Sequence, residues 1–362
     1  PVPAARKPFP VRTFGVGAIP DVDFARAGMV VAFGADFLET WLSPVRHGRS
    51  FAEFRQKAMK GPAPFVAVET RLSLTGANAD ELVAVRAGGE MALALGMAHV
   101  LLAEGLAQQA SPAAREAVAA FAPEAVAEQA DVPAEKVREL ARRFVAAAPS
   151  LAVAGGIATQ SEQSVALLAA VNLLNWVAGN VGQTVRFDRT MDLEAVGSFG
   201  DVQNLIGAMG EGRVEALVVM GANPAYAVPA WAGFAAAMDR VPFKVALATV
   251  LDETSERCDL VLPVAHALES WGDSEVVRGV HSIQQPGMRK LPILDAREPG
   301  DALIALAKGS GFGDAFPDYW FDWLKGRWRG LHERLGAGRA FDDFWADVLQ
   351  AGGAWEDAPA QS

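Results

Sequence analysis

One pattern occurs twice in this chain and restricts its fold more than any other feature. Residues 29–36 read MVVAFGAD and residues 216–223 read ALVVMGAN, each an apolar run passing through Gly-Ala into a short polar residue. Downstream of each copy a second apolar run ends in an acid and a threonine, Glu69-Thr70 in one and Asp252-Glu253-Thr254 in the other. A third run follows in both, NADELVAV at 78–85 and RCDLVLPV at 257–264. Strand, glycine turn, helix, strand and acid, repeated, predict two related mononucleotide-binding halves of a doubly wound α/β fold.

The rest of the chain agrees with that class. Apolar runs at 29–33, 65–68, 81–85, 151–154, 216–220, 243–248 and 259–262 are bounded by turn residues and separated by helical patterns. Several do not alternate with polar residues, which predicts strands buried on both faces of a mainly parallel sheet. The clearest helix is expected from Pro133 to about Ala147, where Val137, Leu140, Ala141, Phe144 and Val145 recur at helical spacing. Helices near 89–107 and 161–178 are apolar on nearly all sides and should lie inside, the second stopping at Gly179-Asn180. The expected division is a first dinucleotide-binding-like domain at 1–190, a second at 191–312, and a helical tail at 313–362 that holds five of the nine tryptophans. In that tail Trp320, Trp323, Leu324, Trp328 and Leu331 share one helix face, suited to packing on its own domain or to a partner subunit.

In open α/β sheets, ligands sit beyond the carboxyl ends of the strands, where glycine lets the backbone approach them. Gly34 and Gly221 fall at that place, followed by Asp36 and Asn223, while Glu69 and Asp252 end second strands, where a ribose hydroxyl would find an acceptor. Neither turn has the full G-x-G-x-x-G spacing, so tight strand-to-helix turns explain the glycines as well as a nucleotide does. The segment 262–286 concentrates His266, Glu269, Asp273, Glu275, Arg278 and His281. The two histidines lack a third ligand at metal spacing and read as hydrogen-bonded structural residues, and Glu269 with Arg278 can form a loop-ordering ion pair. Arg46-His47-Gly48-Arg49 reads as a solvated basic loop that could hold a phosphate.

Other chemistries are excluded by composition. With 32 basic against 43 acidic residues, a net charge of −11 and no basic cluster, the chain is not built for nucleic acid. A single cysteine, Cys258, can supply neither a disulfide nor an iron–sulfur cluster by itself. No G-x-S-x-G elbow offers a nucleophile. The longest apolar runs fall short of the roughly 18 residues that a membrane span requires. The opening PVPAARKPFP carries no initiator Met and no apolar leader, as expected of a piece of something longer.

Read in order, these segments resemble the molybdopterin (bis-guanine-dinucleotide) oxidoreductase family. GADFLET at 34–40 is similar to its G-A-N-P-L-E-T turn, VEALVVMGANPAY at 214–226 to its second nucleotide turn, and LNWVAGNVGQTV at 174–185 to its G-N-x-G turn. ETRLSLTGANAD at 69–80, LDETSERCDLVLPVAHALESWGDSE at 251–275 and VRGVHSIQQP at 277–286 are similar to the large iron–sulfur and molybdopterin-like subunit type of alternative complex III, a quinol-oxidising membrane complex.

The resemblance implies two halves that embrace the guanine dinucleotides of a molybdenum cofactor. It assigns Gly34, Asp36, Glu39, Glu69, Arg71, Gly221, Asn223, Pro224, Asp252, Thr254 and Glu269 to cofactor-binding positions, with no catalytic residue in this segment. It also implies a scaffold that has lost the cofactor, iron–sulfur clusters carried outside the segment, partner subunits of a membrane-bound respiratory complex, and a place on the periplasmic face of the cytoplasmic membrane. The alternative it leaves is the nucleotide-binding portion of an active molybdenum reductase of polysulfide or thiosulfate type. Departures are local. Asp36-Phe37 stands where the family has Asn-Pro, adding a carboxylate that would repel a diphosphate, whereas Asn223-Pro224 is intact, which makes the second half the better candidate for nucleotide binding.

Overall fold

The structure, a computed structural model, describes residues 18–58, 63–191, 196–292 and 295–356. Residues 1–17, read above for a leader, lie outside the described residues. The chain forms two compact units that divide between residues 194 and 195.

The first unit runs β1 (Ile19–Val22), β2 (Val30–Phe33), α1 (Pro44–Ala58), β3 (Phe65–Glu69), α2 (Leu74–Ala77), β4 (Glu81–Ala84), α3 (Gly89–Ala103), α4 (Pro112–Val118), α5 (Pro123–Ala130), α6 (Ala134–Ala146), β5 (Leu151–Ala154), α7 (Ser164–Val177) and β6 (Val185–Met191). Four strands form a wholly parallel sheet in the order β4-β3-β2-β5, so the order reverses between β2 and β5. Alternate residues of β2, β3 and β5 enter two different cores. Val31, Phe33, Val66 and Val68 join Leu93, Met97, Leu140 and Phe144 from α3 and α6. Val30, Ala32, Phe65 and Ala67 join Phe24, Phe37, Phe51 and Phe54 on the α1 side. Both faces of β2, β3 and β5 are buried, as the unbroken apolar runs predict, whereas β4 at the sheet edge has Leu82 46% exposed.

β5 lies at the end of this parallel sheet, and the first unit satisfies its backbone with side chains. The Asn175 amide donates to the Ala152 carbonyl (2.8 Å) and its oxygen accepts from the Ala152 N–H (3.0 Å), reproducing a pair of ladder bonds. Asn180 Oδ1 accepts from Ser150 N–H (3.0 Å) and Thr184 Oγ1 donates to the Ser150 carbonyl (2.5 Å). The G-N-V-G turn thus works here as a cover for strand backbone.

The second unit runs α8 (Phe199–Gly210), β7 (Ala216–Met220), α9 (Pro224–Ala227), α10 (Phe234–Met238), β8 (Phe243–Ala248), β9 (Leu260–Pro263), β10 (Gly272–Val277), β11 (Val280–Gln284), α11 (Pro299–Ala307), α12 (Trp320–Leu335), α13 (Phe341–Ala351) and β12 (Gly353–Trp355). β7, β8 and β9 form a parallel sheet in that order. Met209, Phe234 and Met238 from α8 and α10 pack with Leu217 on one face. The other face corrects an expectation, because on β7 and β9 it is not buried. Val218, Met220, Leu260 and Leu262 are 42%, 46%, 43% and 37% exposed. A continuous apolar run marks a strand that favours two covered faces, but it cannot say which segments supply the cover. The tryptophan-rich helices have a core of their own, where Leu324, Trp328, Phe344 and Trp345 pack with Ile283 of β11.

Arg46-His47-Gly48-Arg49 is also not a loop. Pro44 opens α1, and His47 N–H donates to the Ser43 carbonyl (2.9 Å). His47 is 4% exposed, its ring set against Phe24 and Trp41.

Asn175→Ala is expected to destabilise the first unit by about 3 kcal/mol, since it leaves a buried N–H and a buried carbonyl of Ala152 without partners. Chemical denaturation measures this, and a loss below about 1 kcal/mol, the size of an ordinary surface change, would contradict it.

Candidate functional site

The strand ends of the two units are where the sequence places a ligand, and they are built differently. In the first unit β2 runs into Gly34, whose φ of +61° favours glycine. Gly34 N–H donates to the Val68 carbonyl (2.9 Å). The N–H groups of Glu39, Thr40 and Trp41 all donate to the Asp36 carbonyl (2.9, 3.1 and 3.3 Å), and Leu38 N–H donates to Thr75 Oγ1 (3.1 Å). The N–H groups of Gly34, Leu38, Glu39, Thr40 and Trp41 are thus engaged within the chain.

The carboxylates are engaged as well. Asp36 is buried, with one oxygen accepting from the Thr40 hydroxyl. Glu39 Oε1 accepts from Leu74 N–H (3.1 Å). Glu69, 5% exposed, accepts from the N–H and hydroxyl of Ser73 (3.0 and 2.7 Å), and Ser73 Oγ in turn caps Gly76 N–H (2.9 Å). Glu69 therefore orders the turn after β3. Arg71 is exposed and forms no ion pair among the described residues.

In the second unit a cleft of about 520 Å³ opens at the carboxyl ends of β7, β8 and β9. Gly221 (φ +63°), Asn223, Thr249, Asp252, Thr254 and Ala265 are among its lining residues, so four of the sequence-assigned positions come together here. A side chain at Gly221 would meet nothing within 4 Å. The polar groups form a chain. Asn223 Nδ2 donates to Glu253 Oε2 (2.6 Å), Asn223 Oδ1 accepts from the Thr254 hydroxyl (2.7 Å), and Thr254 Oγ1 accepts from Ala225 N–H (2.9 Å). Pro224 begins α9 beside them. Asp252 Oδ1 accepts from the N–H groups of Ser255 and Thr254 (2.7 and 3.1 Å), and these backbone bonds, that of Ser255 foremost, hold its carboxyl below the usual aspartate range. Among the described residues no lysine or arginine lines the cleft.

Glu269 stands apart from this group. It is 8% exposed, with Oε2 accepting from His266 N–H (3.0 Å) and Oε1 from Leu291 N–H (3.0 Å), where an ion pair with Arg278 was the expectation. His281 is buried against Glu356, its Nε2 3.0 Å from Glu356 Oε1. Among the described residues no group of three His, Cys, Asp or Glu side chains could hold a metal ion. The first unit also has an apolar cavity of about 70 Å³ beside β5, lined by Trp41, Val153, Leu168 and Val171 and by no charged residue.

Parallel sheets, glycine turns at the strand ends and paired acidic turns define a protein of the two-halved dinucleotide-binding class. A family model described as molybdopterin oxidoreductase matches residues 13–308, and the chain belongs to that family. It is 32% identical over 307 residues to the menaquinone reductase, molybdopterin-binding-like subunit of Nitratidesulfovibrio vulgaris, covering 78% of this chain and 43% of that protein. It is 32% identical over 172 residues to the thiosulfate reductase molybdopterin-containing subunit PhsA of Salmonella typhimurium, covering 44% of this chain and 22% of that one. In fold it is similar to acetylene hydratase from Pelobacter acetylenicus, with a TM-score of 0.67 and 16% identity over 87% of this chain and 51% of that one. The chain thus spans less than half the length of these curated relatives.

A carboxyl held low by folding stabilises the fold above its unfolded pKa of about 3.9, and that contribution is lost as pH falls through the lower folded value. Asp252→Asn should therefore be less stable than the parent near pH 7, with the gap narrowing below about pH 4. Denaturant titrations across that range measure the gap, and a constant gap down to about pH 2 would show that the charge has no part in it.

Proposed function

We propose that this chain is a scaffold segment of a molybdopterin oxidoreductase-family subunit in a membrane-associated, quinone-linked electron-transfer complex, one that keeps the fold without the molybdenum cofactor. The observation that carries this reading is the first glycine turn. Asp36 replaces the expected asparagine there, and Asp36, Glu39 and Glu69 all bond to their own chain. The relative named as a molybdopterin-binding-like subunit of menaquinone reductase supports it. With Cys258 as the single cysteine, electron-carrying clusters belong outside these residues. The exposed apolar face of β7–β9 suits burial against another part of such an assembly. A place on the periplasmic side follows from the alternative complex III resemblance.

A second reading, a nucleotide-binding portion of an active molybdenum reductase, is favoured by the cleft at β7–β9. Its Gly221, Asn223-Pro224 and Asp252 suit the backbone approach and ribose of a guanine dinucleotide. If bound, the group would supply the redox chemistry, and the residues here would only hold its nucleotide arm.

Metal and pterin analysis of the intact subunit, purified with its complex, separates the two. The scaffold reading predicts neither molybdenum nor pterin above background, and one molybdenum per subunit would overturn it.

A further inference from the structure

We infer that the crevice of the first unit, at the point where its strand order reverses, is closed by the chain's own atoms and cannot admit a nucleotide diphosphate. This deepens the scaffold reading, on which its wider meaning rests, by naming the half that is blocked and the segment that blocks it.

In a doubly wound sheet the ligand crevice lies where neighbouring strands send their connections to opposite sides, here between the ends of β2 and β5. The segment after β5, Gly155-Gly156 and the short helical turn Gly156–Thr159, packs into that place. A Cβ on Gly34 would come within 2.5 Å of the Ala158 Cβ and 3.4 Å of the Gly155 carbonyl oxygen. A Cβ on Gly156 would overlap the Gly34 carbonyl oxygen and lie 2.5 Å from Asp36 Oδ1. Two glycine turns therefore meet backbone to backbone, and the space a diphosphate would need is occupied.

Acceptors also gather on the Gly156 side of this junction, while the Ala158 nitrogen lies 3.3 Å from a Cβ on Gly34. What converges on Gly156 is the Gly34 carbonyl oxygen and Asp36 Oδ1, a buried oxygen with no hydrogen-bond partner among the described residues. Phosphate requires N–H donors. Those of Gly34, Leu38, Glu39, Thr40 and Trp41 already bond to Val68, Thr75 and Asp36, and Gly155 N–H donates to the Phe33 carbonyl (3.3 Å). The second unit has no counterpart of β5 in its parallel sheet among the described residues, and a side chain on its Gly221 would meet no neighbour within 4 Å.

Two measurements on the full chain test this. In a double-mutant cycle Gly34→Ala should lower the melting temperature of the first unit by about 5 °C or more, and Ala158→Gly in that background should recover a substantial part of the loss. Strictly additive effects would mean that the two turns do not touch, and would overturn the inference. In hydrogen exchange with millimolar GDP as the probe, amides of 34–41 and 155–160 should exchange at unchanged rates, and slowing there would equally overturn it. Slowing confined to 221–225 and 249–255 supports the inference and places the probe in the second unit. No slowing anywhere counts against the nucleotide reading of the β7–β9 cleft, while the melting cycle still decides the closure.

Discussion

Backbone N–H and carbonyl groups that leave a parallel strand lose their ladder partners and must find others, and this requirement governs both ends of the first unit's sheet. Along β5 the Asn175 amide stands in for a neighbouring strand, and beyond β2 and β3 the Asp36, Glu39 and Glu69 side chains tie the turns together. A nucleotide at such a place normally supplies acceptors for some of the same donors. Here the chain itself supplies acceptors for the N–H groups of Gly34, Leu38, Glu39, Thr40 and Trp41.

The two units show the same design under different constraints. In the first, an edge strand and its following turn complete the sheet and fill the reversal point. In the second, α8 and α10 pack on one face of three parallel strands, and Gly221, Asn223 and Asp252 border a cleft of about 520 Å³. Asn223, Glu253 and Thr254 bond to each other there, which fixes the turn. The proposed scaffold role rests on the first unit, and the nucleotide reading rests on the cleft of the second.

The seven strands of the two parallel sheets and the α6 helix were legible because apolar runs and helical spacing are local properties of the sequence, whereas β1, β6, β10, β11 and β12, which are short or mixed in polarity, were not. So was the grouping of Gly221, Asn223, Asp252 and Thr254, since each follows a strand end by a fixed number of residues. The role of Glu69 was not legible, because an acid at the end of a second strand serves a ribose or its own turn depending on Ser73, whose N–H and hydroxyl reach it only once that turn has formed. The same holds for Glu269, which bonds to Leu291, far along the chain, instead of Arg278. Burial of the β7 and β9 faces depends on what covers them, which no run of Val and Leu encodes. His47 was hidden by its arginine neighbours, although Ser43-Pro44 was the available sign of a helix start.

The central claim is that the first glycine turn binds its own chain in place of a cofactor, and direct density for that turn in the intact subunit tests it most plainly. An experimental structure of the purified complex should show Ala158 against Gly34 and the Asp36 carboxylate against Gly156, with nothing between them. Density for a pterin or diphosphate separating these residues would contradict the account.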